Sequence, residues 1–223
     1  MKILVACEES QRVCIAFREK GHEAYSCDII ECSGGHPEWH IRWDVTALLN
    51  GRCTFLTQDG RMHKIADRWD MIVAHPPCTF MSKAGARWMY PKAGEISLER
   101  LELAMEARDF FFAMLEADCE KICVENPRPL KVVDLPKPTQ VVQPYEYGHP
   151  YSKATCLWLK NLEPLVPTNI WANTSRSFPL ILGHSREEAA AAEAWLTMPK
   201  NEALLLRALP EQWQINGDRR VSE

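Results

Sequence analysis

The sequence lacks any apolar run long enough to cross a membrane, and no charged-then-apolar leader follows Met1. A membrane-spanning helix needs about 20 consecutive apolar residues. A secretory signal begins with a basic segment before its apolar one. We therefore expect a protein with no membrane association and a cytoplasmic location.

The nine cysteines include no Cys-x-x-Cys pair, and their number is odd. This pattern argues against a disulfide framework and favours reduced thiols, several of them buried as small hydrophobic residues. A zinc site built from Cys27, Cys32, His36 and His40 is conceivable, but the spacing fits no familiar ligand pattern. We expect no bound metal.

The chain also lacks a basic excess, because 26 Lys and Arg residues face 30 Asp and Glu residues. Binding of nucleic acid through counterion release usually requires a clear excess of positive charge. Basic residues nevertheless gather after positions 78 and 127, at Lys83, Arg87, Lys92, Arg128, Lys131 and Lys137. We interpret these groups as two phosphate-contacting rims beside one cleft; the alternative is solvated loops.

Short apolar runs alternate with helical patterns in the first half of the chain. Residues 3–7, 24–29, 41–45, 69–74 and 121–124 predict strands, and residues 10–20 and 98–117 predict helices. Two shorter runs, 140–143 and 154–159, follow in a proline-rich region. This alternation predicts an α/β fold with a Rossmann-like, doubly wound, mostly parallel sheet and helices on both faces. We expect one domain over 1–183 and a short helical C-terminal extension over 184–223.

Two motifs stand where apolar runs stop: Pro-Pro-Cys at 76–78 and Glu-Asn-Pro at 125–127. Proline after a short apolar run indicates a buried strand that ends in a rigid loop. Because neighbouring strand ends converge on one crevice, we expect Cys78 and Glu125 to face the same pocket. A thiol and a carboxyl group there suggest covalent catalysis assisted by an acid. The alternatives are that Cys78 is a structural cysteine and that Glu125 forms a salt bridge to Arg128 or Lys131.

The turn after the first predicted strand contains no glycine, although it occupies the place of a nucleotide-cofactor loop. Asp28 ends the second strand, where doubly wound folds place an acid for ribose hydroxyls. Asp44, after the third strand, would contact an adenine amino group. The acids Glu8 and Glu9 in the turn would repel a pyrophosphate. This favours a cofactor that has no phosphate and carries a positive sulfonium; the alternative for Asp28 is a helix N-cap or turn residue.

These motifs, in this order, resemble the cytosine-5 DNA methyltransferase family. Pro77-Cys78 matches the family's nucleophile motif, and Glu125-Asn126 matches its acid motif. The stretch 147–157, Tyr-Gly-His-Pro-Tyr-Ser-Lys-Ala-Thr-Cys-Leu, resembles the family's Phe-Gly-x-Pro-Gln-x-Arg-x-Arg. More closely, the chain is similar to a short phage-encoded group of cytosine-methyltransferase-like proteins, for which the location would be the host cytoplasm.

The resemblance implies a class I methyltransferase-like fold, S-adenosylmethionine as cofactor, and DNA or a pyrimidine nucleotide as substrate. It implies that Cys78 attacks carbon 6 of cytosine while Glu125 and Asn126 hold the ring. The implied cofactor residues are Cys7, Glu8, Ser10, Asp28, Ile29, Asp44, Val45, His75 and Pro77. Lys153 and Thr155 are the substrate residues that the resemblance implies, and their position beside the two motifs adds Ser82, Lys83, Arg87 and Arg128.

The chain departs from the family at three places. The Phe-x-Gly-x-Gly cofactor loop is replaced by residues 8–11, and the two family arginines are replaced by Lys153 and Thr155. We expect the stretch between Leu159 and the C-terminal tail to be too short for a target-recognition domain, and a protein partner is one candidate source of target recognition.

Three alternatives remain open at this point. The first is the same chemistry on a free pyrimidine nucleotide or single-stranded nucleic acid. The second is a catalytically degenerate protein that binds nucleic acid or a host protein, as an anti-restriction factor does. The third is an amino-methyltransferase that stacks Phe80 on the base, which would leave Glu125 and Asn126 without a role.

Overall fold

The computed structural model describes residues 1–149, 152–168 and 170. These residues contain nine β-strands and three α-helices. The strands are β1 Lys2–Ala6, β2 Glu23–Asp28, β3 His40–Arg42, β4 Cys53–Leu56, β5 Met62–Ile65, β6 Met71–Ala74, β7 Lys121–Pro127, β8 Gln140–Val142 and β9 Thr155–Lys160. The helices are α1 Arg12–Glu19, α2 Ala86–Met89 and α3 Leu98–Leu115. The predicted extension over 184–223 lies outside the described residues, as does the boundary at 183.

Seven strands form one mostly parallel sheet in the order β3-β2-β1-β6-β7-β9-β8. Within this order, the five strands from β3 to β7 are mutually parallel. Strand β9 pairs antiparallel with both β7 and β8. The chain builds outward from β1 to β3 and then returns to place β6 on the other side of β1. The order therefore reverses between β1 and β6, and in such sheets the ligand crevice lies outside the carboxyl ends of the strands at that point. The predicted α/β class with a mostly parallel sheet is confirmed.

Both faces of the sheet are covered, because successive side chains of a strand point to opposite faces. In β1, Ile3 and Val5 belong to the apolar cluster that includes α1, whereas Leu4 and Ala6 belong to the cluster that includes α3. This explains why β1 is apolar throughout rather than alternating. In the described part of the chain, no helix is long and apolar enough to cross a membrane.

A β-hairpin formed by β4 and β5 was not predicted from the sequence. Its strands expose every second side chain, so no continuous apolar run marks them. Phe55 and Ile65 are its buried residues, and the Phe55 ring lies 5.1 Å from that of Tyr25. An Asp-Gly pair at 59–60 is the usual signal for such a turn, and Gly60 has a positive φ of 85°.

Candidate active site

The carboxyl ends of three adjacent strands bring the predicted catalytic residues to one edge of the sheet. Ala6 pairs with Ala74, and Ala74 pairs with Val124. The residues that come next are Cys7 after β1, His75 after β6 and Glu125 in β7. They are neighbours at the edge of the sheet where the strand order reverses. Glu125 therefore lies beside the end of β6, the strand that leads into the turn with Cys78.

Glu125 and Asn126 lie inside β7, not in a loop after it as predicted. The antiparallel strand β9 extends the ladder, so that Glu125 pairs with Leu157 and Asn126 with Cys156. The prediction was wrong because β9 follows about 30 residues later in the chain, and its pairing leaves no local signal. The consequence is a rigid backbone beneath both side chains.

The side chains of Glu125 and Asn126 are buried, and each keeps one oxygen without a hydrogen-bond donor in the described structure. Glu125 Oε2 lies 3.5 Å from Nδ1 of His75, while Oε1 has no partner. Asn126 Nδ2 donates to the carbonyl oxygen of Pro76 at 3.0 Å, while Oδ1 has no partner. Unsatisfied buried acceptors are costly and rare in native proteins. Two of them side by side fit a ligand that brings hydrogen-bond donors.

Cys78 is half-buried at the start of a tight turn that its own backbone closes. Its carbonyl oxygen accepts hydrogen bonds from the amides of Met81 at 3.2 Å and Ser82 at 2.9 Å. Burial raises the pKa of the Cys78 thiol, the Glu125 carboxylate raises it further, and Lys153 opposes both. Cys78 is therefore a neutral thiol at rest, and it becomes a better nucleophile when Glu125 loses its negative charge.

The two basic rims predicted from the sequence meet in the structure. The amide of Lys83 donates to the carbonyl oxygen of Arg128 at 3.0 Å, and Ser82 forms an isolated bridge with Pro129. Lys83, Arg87 and Arg128 are exposed. The backbones of Lys83 and Arg128 are therefore neighbours, which brings one residue of each predicted rim together near the Cys78 turn.

Ser82 and Thr155, both predicted to bind substrate, are buried. The Thr155 hydroxyl donates to the carbonyl oxygen of Lys153 at 3.1 Å. This contact holds the strand end that carries Lys153, which is half-buried and close enough to Cys78 to lower its pKa. Of Lys153 and Thr155, Lys153 is thus the one that acts at the thiol.

Glu8, predicted as a cofactor ligand, instead caps α1. Its buried carboxylate accepts hydrogen bonds from the amide of Val13 at 2.5 Å and from that of Cys14 at 3.1 Å. A carboxylate at a helix N-terminus satisfies free amide groups and complements the helix dipole. The same amides would otherwise form an anion site. Glu8 therefore occupies the place where a dinucleotide would put its pyrophosphate.

Glu8→Gln is expected to lower the free energy of unfolding by about 1–3 kcal/mol, because a buried charged acceptor is replaced by a neutral amide. Denaturant unfolding monitored by circular dichroism measures this loss. Glu19→Gln, at the exposed end of the same helix, is the matched control and should stay within about 0.5 kcal/mol of wild type. Equal stability of the two variants would contradict the capping role.

The turn after β1 contains no glycine, but Gly34 from another segment packs closely against it. A Cβ atom on Gly34 would lie 2.5 Å from the carbonyl oxygen of Ser10 and 2.6 Å from Cβ of Gln11. The Gln11 amide holds the same segment, accepting from the His36 amide at 3.0 Å and donating to its carbonyl oxygen at 2.8 Å. Sequence analysis missed these contacts, although the Gly-Gly pair at 34–35 is a signal for close backbone approach.

The predicted acids of the cofactor region converge near the end of β1. The pKa of Cys7 is raised, first by burial and then by Asp28, with a smaller effect of Asp44, so both carboxylates lie near this thiol. One Asp28 oxygen accepts from the Ile30 amide at 3.3 Å, and one Asp44 oxygen accepts from the Thr46 amide at 2.9 Å. The Asp28 oxygen thus makes the turn contact that was the alternative interpretation of this residue.

The two apolar residues predicted to contact the cofactor have opposite exposure. Ile29 has 73% of its surface exposed, so its side chain is available to a ligand. Val45 is buried in the cluster beneath α3. Pro77 is exposed, while the His75 side chain is buried against Glu125.

The structure does not assemble the conceivable zinc site. Both ring nitrogens of His40 have partners, Ser26 Oγ at 2.9 Å and the carbonyl oxygen of Ile30 at 2.9 Å. The Cys27 thiol donates to the carbonyl oxygen of Trp43 at 3.3 Å. In residues 1–149, 152–168 and 170, no three His, Cys, Asp or Glu side chains form a metal-binding group.

No family model matches the sequence. No curated protein matches it either. One similar solved structure is a candidate DNA modification methyltransferase encoded within an E. coli prophage, at 14% identity and a TM-score of 0.42. The match covers 71% of this chain and 46% of that chain, so this chain spans about half of the solved protein. A fold does not by itself define a function, which depends on the residues of the site.

Proposed function

We propose that the protein is an S-adenosylmethionine-dependent methyltransferase that acts on carbon 5 of cytosine in DNA through a covalent adduct with Cys78. The observation that carries the proposal is the placement of a thiol beside the unpartnered oxygens of Glu125 and Asn126. Cytosine presents an amino donor at N4, next to ring nitrogen N3. The strand order also supports the proposal, because it resembles that of class I methyltransferases. It reverses between β1 and β6, and it includes an antiparallel strand, β9, next to β7.

The residues at the ends of β1 to β3 fit this cofactor better than a dinucleotide. Glu8 already fills the helix N-terminus with a carboxylate, which disfavours phosphate. Asp28 and Asp44 make the region near Cys7 negative, which favours a sulfonium cation. Asp28, Ile29 and Asp44 would hold the cofactor. When bound, S-adenosylmethionine supplies an electrophilic methyl group.

The reaction follows from the chemistry of the two groups. The Cys78 thiol would pass its proton through Glu125 to ring N3 as its sulfur adds to carbon 6, so that the electron density moving into the ring is neutralised. Carbon 5 would then become nucleophilic and take the methyl group of bound S-adenosylmethionine, whose sulfonium–methyl bond breaks to leave a neutral thioether. A base then removes the carbon 5 proton, the carbon–sulfur bond breaks, and the thiolate is regenerated.

The negative charge of Glu125 links substrate binding to activation of the nucleophile. In the free protein this charge raises the pKa of the Cys78 thiol. When a ring is present, the proton released by the Cys78 thiol can pass through Glu125 to N3, so thiolate forms more readily than in the free protein. The arrangement protects the thiol until the substrate arrives.

The function is tested by incubating the protein with methyl-labelled S-adenosylmethionine and duplex DNA, single-stranded DNA or dCMP. Mass spectrometry of the digested product should show labelled 5-methylcytosine. Label in dCMP or single strands but not in duplex DNA would select the alternative substrate. Absence of cofactor binding in calorimetry would contradict the proposal and favour a non-catalytic binding protein.

Alkylation of Cys78 by iodoacetamide is expected to respond in opposite directions to its two charged neighbours. The rate follows the thiolate fraction. Glu125→Gln removes a charge that raises the thiol pKa and should speed the reaction roughly threefold or more, whereas Lys153→Ala should slow it. Peptide-resolved mass spectrometry measures the rate, with Cys32 in the same digest as the internal control. Changes of the same sign in both variants would contradict this electrostatic assignment.

A further inference from the structure

His75 and Glu125 form a buried pair at the centre of the candidate site. Nδ1 of His75 lies 3.5 Å from Oε2 of Glu125, and their side chains are 7% and 1% exposed. The amide of His75 donates to the carbonyl oxygen of Ala6 at 3.0 Å, which fixes the backbone that carries the ring. The separation is long for a hydrogen bond but within the range of an ion pair. The interaction between the two side chains is therefore mainly one of charge.

Glu125 needs a positive partner, because an isolated buried carboxylate is strongly disfavoured. His75 forms an ion pair with Glu125 and is therefore a positive partner in direct contact with it when its ring is protonated. The thiols that interact electrostatically with Glu125 are those of Cys78, Cys123 and Cys156. The cations near these thiols are Lys153, which acts on Cys78, and Arg128, which acts on Cys156. His75 is thus the group whose protonation most directly sets the charge beside Glu125.

We propose that His75 is a positioning residue that acts through Glu125, holding Oε2 so that Oε1 is presented to the pyrimidine ring. This inference rests on the proposed function. With His75 protonated, the pair is neutral and Glu125 imposes no net negative charge on Cys78. With His75 neutral, the pair carries one negative charge and the thiolate is disfavoured. His75 therefore couples the charge of the acid to the reactivity of the nucleophile.

This role replaces the cofactor contact expected for His75 from the resemblance. The ring is buried against Glu125 of β7. The carboxylates that fit the cofactor lie on the other side of β1, at the ends of β2 and β3. His75 therefore acts on Glu125 and, through it, on Cys78. Substitution of His75 should leave cofactor affinity unchanged.

The pairing is tested without any activity by following the histidine ring signals in NMR as pH is varied. His75 is assigned with His75→Gln as the reference. Glu125→Gln should lower the titration midpoint of His75, because the carboxylate that stabilises the imidazolium is gone. His22, at the opposite edge of the sheet, is the control and should titrate unchanged. An unmoved His75 midpoint would overturn the proposal even if the protein methylates DNA.

The role in the reaction is tested by single-turnover methyl transfer across pH, together with calorimetric binding of S-adenosylmethionine. His75→Gln should slow transfer at least about tenfold and remove a pH-dependent step that wild type shows, with cofactor affinity unchanged. A tenfold loss of cofactor affinity would overturn the proposal in favour of a cofactor contact. If wild-type protein transfers no methyl group, the proposed function fails, while the NMR result still decides whether His75 and Glu125 are coupled.

Discussion

Cys78→Ala is expected to reduce methyl transfer at least about a thousandfold, because the variant cannot form the covalent adduct that activates carbon 5. Cys78 is half-buried at a turn closed by its own carbonyl oxygen, so removing the sulfur leaves the local hydrogen bonds in place. The expected loss is therefore chemical rather than structural. Transfer of labelled methyl groups to DNA, measured beside thermal unfolding, separates the two.

The matched control for this substitution is Cys53→Ala, which removes another half-buried thiol from the β4–β5 hairpin. It should retain wild-type transfer. DNA containing 5-fluorocytosine provides a second readout, because fluorine cannot leave as the carbon 5 proton does and the adduct should persist. A fluorocytosine adduct in wild type that is absent from Cys78→Ala supports covalent catalysis. Full transfer by Cys78→Ala would rule out the covalent step.

Glu125→Gln is expected to reduce methyl transfer by roughly a hundredfold or more, because the amide cannot share a proton with ring N3 as a carboxyl group can. The two side chains have nearly the same shape, so the β7–β9 pairing should persist. The same variant should alkylate faster at Cys78, since the charge that raises the thiol pKa is gone. A slower transfer combined with a more reactive thiol would show that Glu125 acts on the ring rather than on the nucleophile.

Glu120→Gln provides the matched control at the opposite end of the same strand. Glu120 is exposed and immediately precedes β7. It should change neither transfer nor Cys78 alkylation. If Glu125→Gln kept full transfer in this comparison, the acid would have no role in the reaction, and an amino-methyltransferase would become the better interpretation.

The strands and helices that form the sheet were largely predictable, because the spacing of apolar residues is a local property of the chain. The runs in β1, β2, β6 and β7, and the long pattern of α3, mark buried elements directly. The hairpin was missed because half of its side chains are exposed. The strand end that carries Glu125 and Asn126 was missed because its partner, β9, is distant in sequence.

The placement of functional groups was predictable only to the level of one sheet edge. The motifs at 76–78 and 125–127 indicated that a thiol and a carboxyl group would meet, because parallel strands end together. The sequence did not indicate that Glu8 would turn inward to cap α1, since its neighbour Glu9 is an equally good candidate. Nor did it indicate that Gly34 would pack against the turn after β1.

By itself the sequence determined which strands form the parallel part of the sheet and that their carboxyl ends share one edge, because hydrophobic periodicity and chain direction are local. The tertiary structure decided which of these groups touch. It pairs His75 with Glu125, aims one carboxylate at α1, and leaves Glu125 Oε1 and Asn126 Oδ1 without donors in the described structure. These contacts depend on strand register and on segments distant in sequence, and neither is encoded in the residues of any one motif.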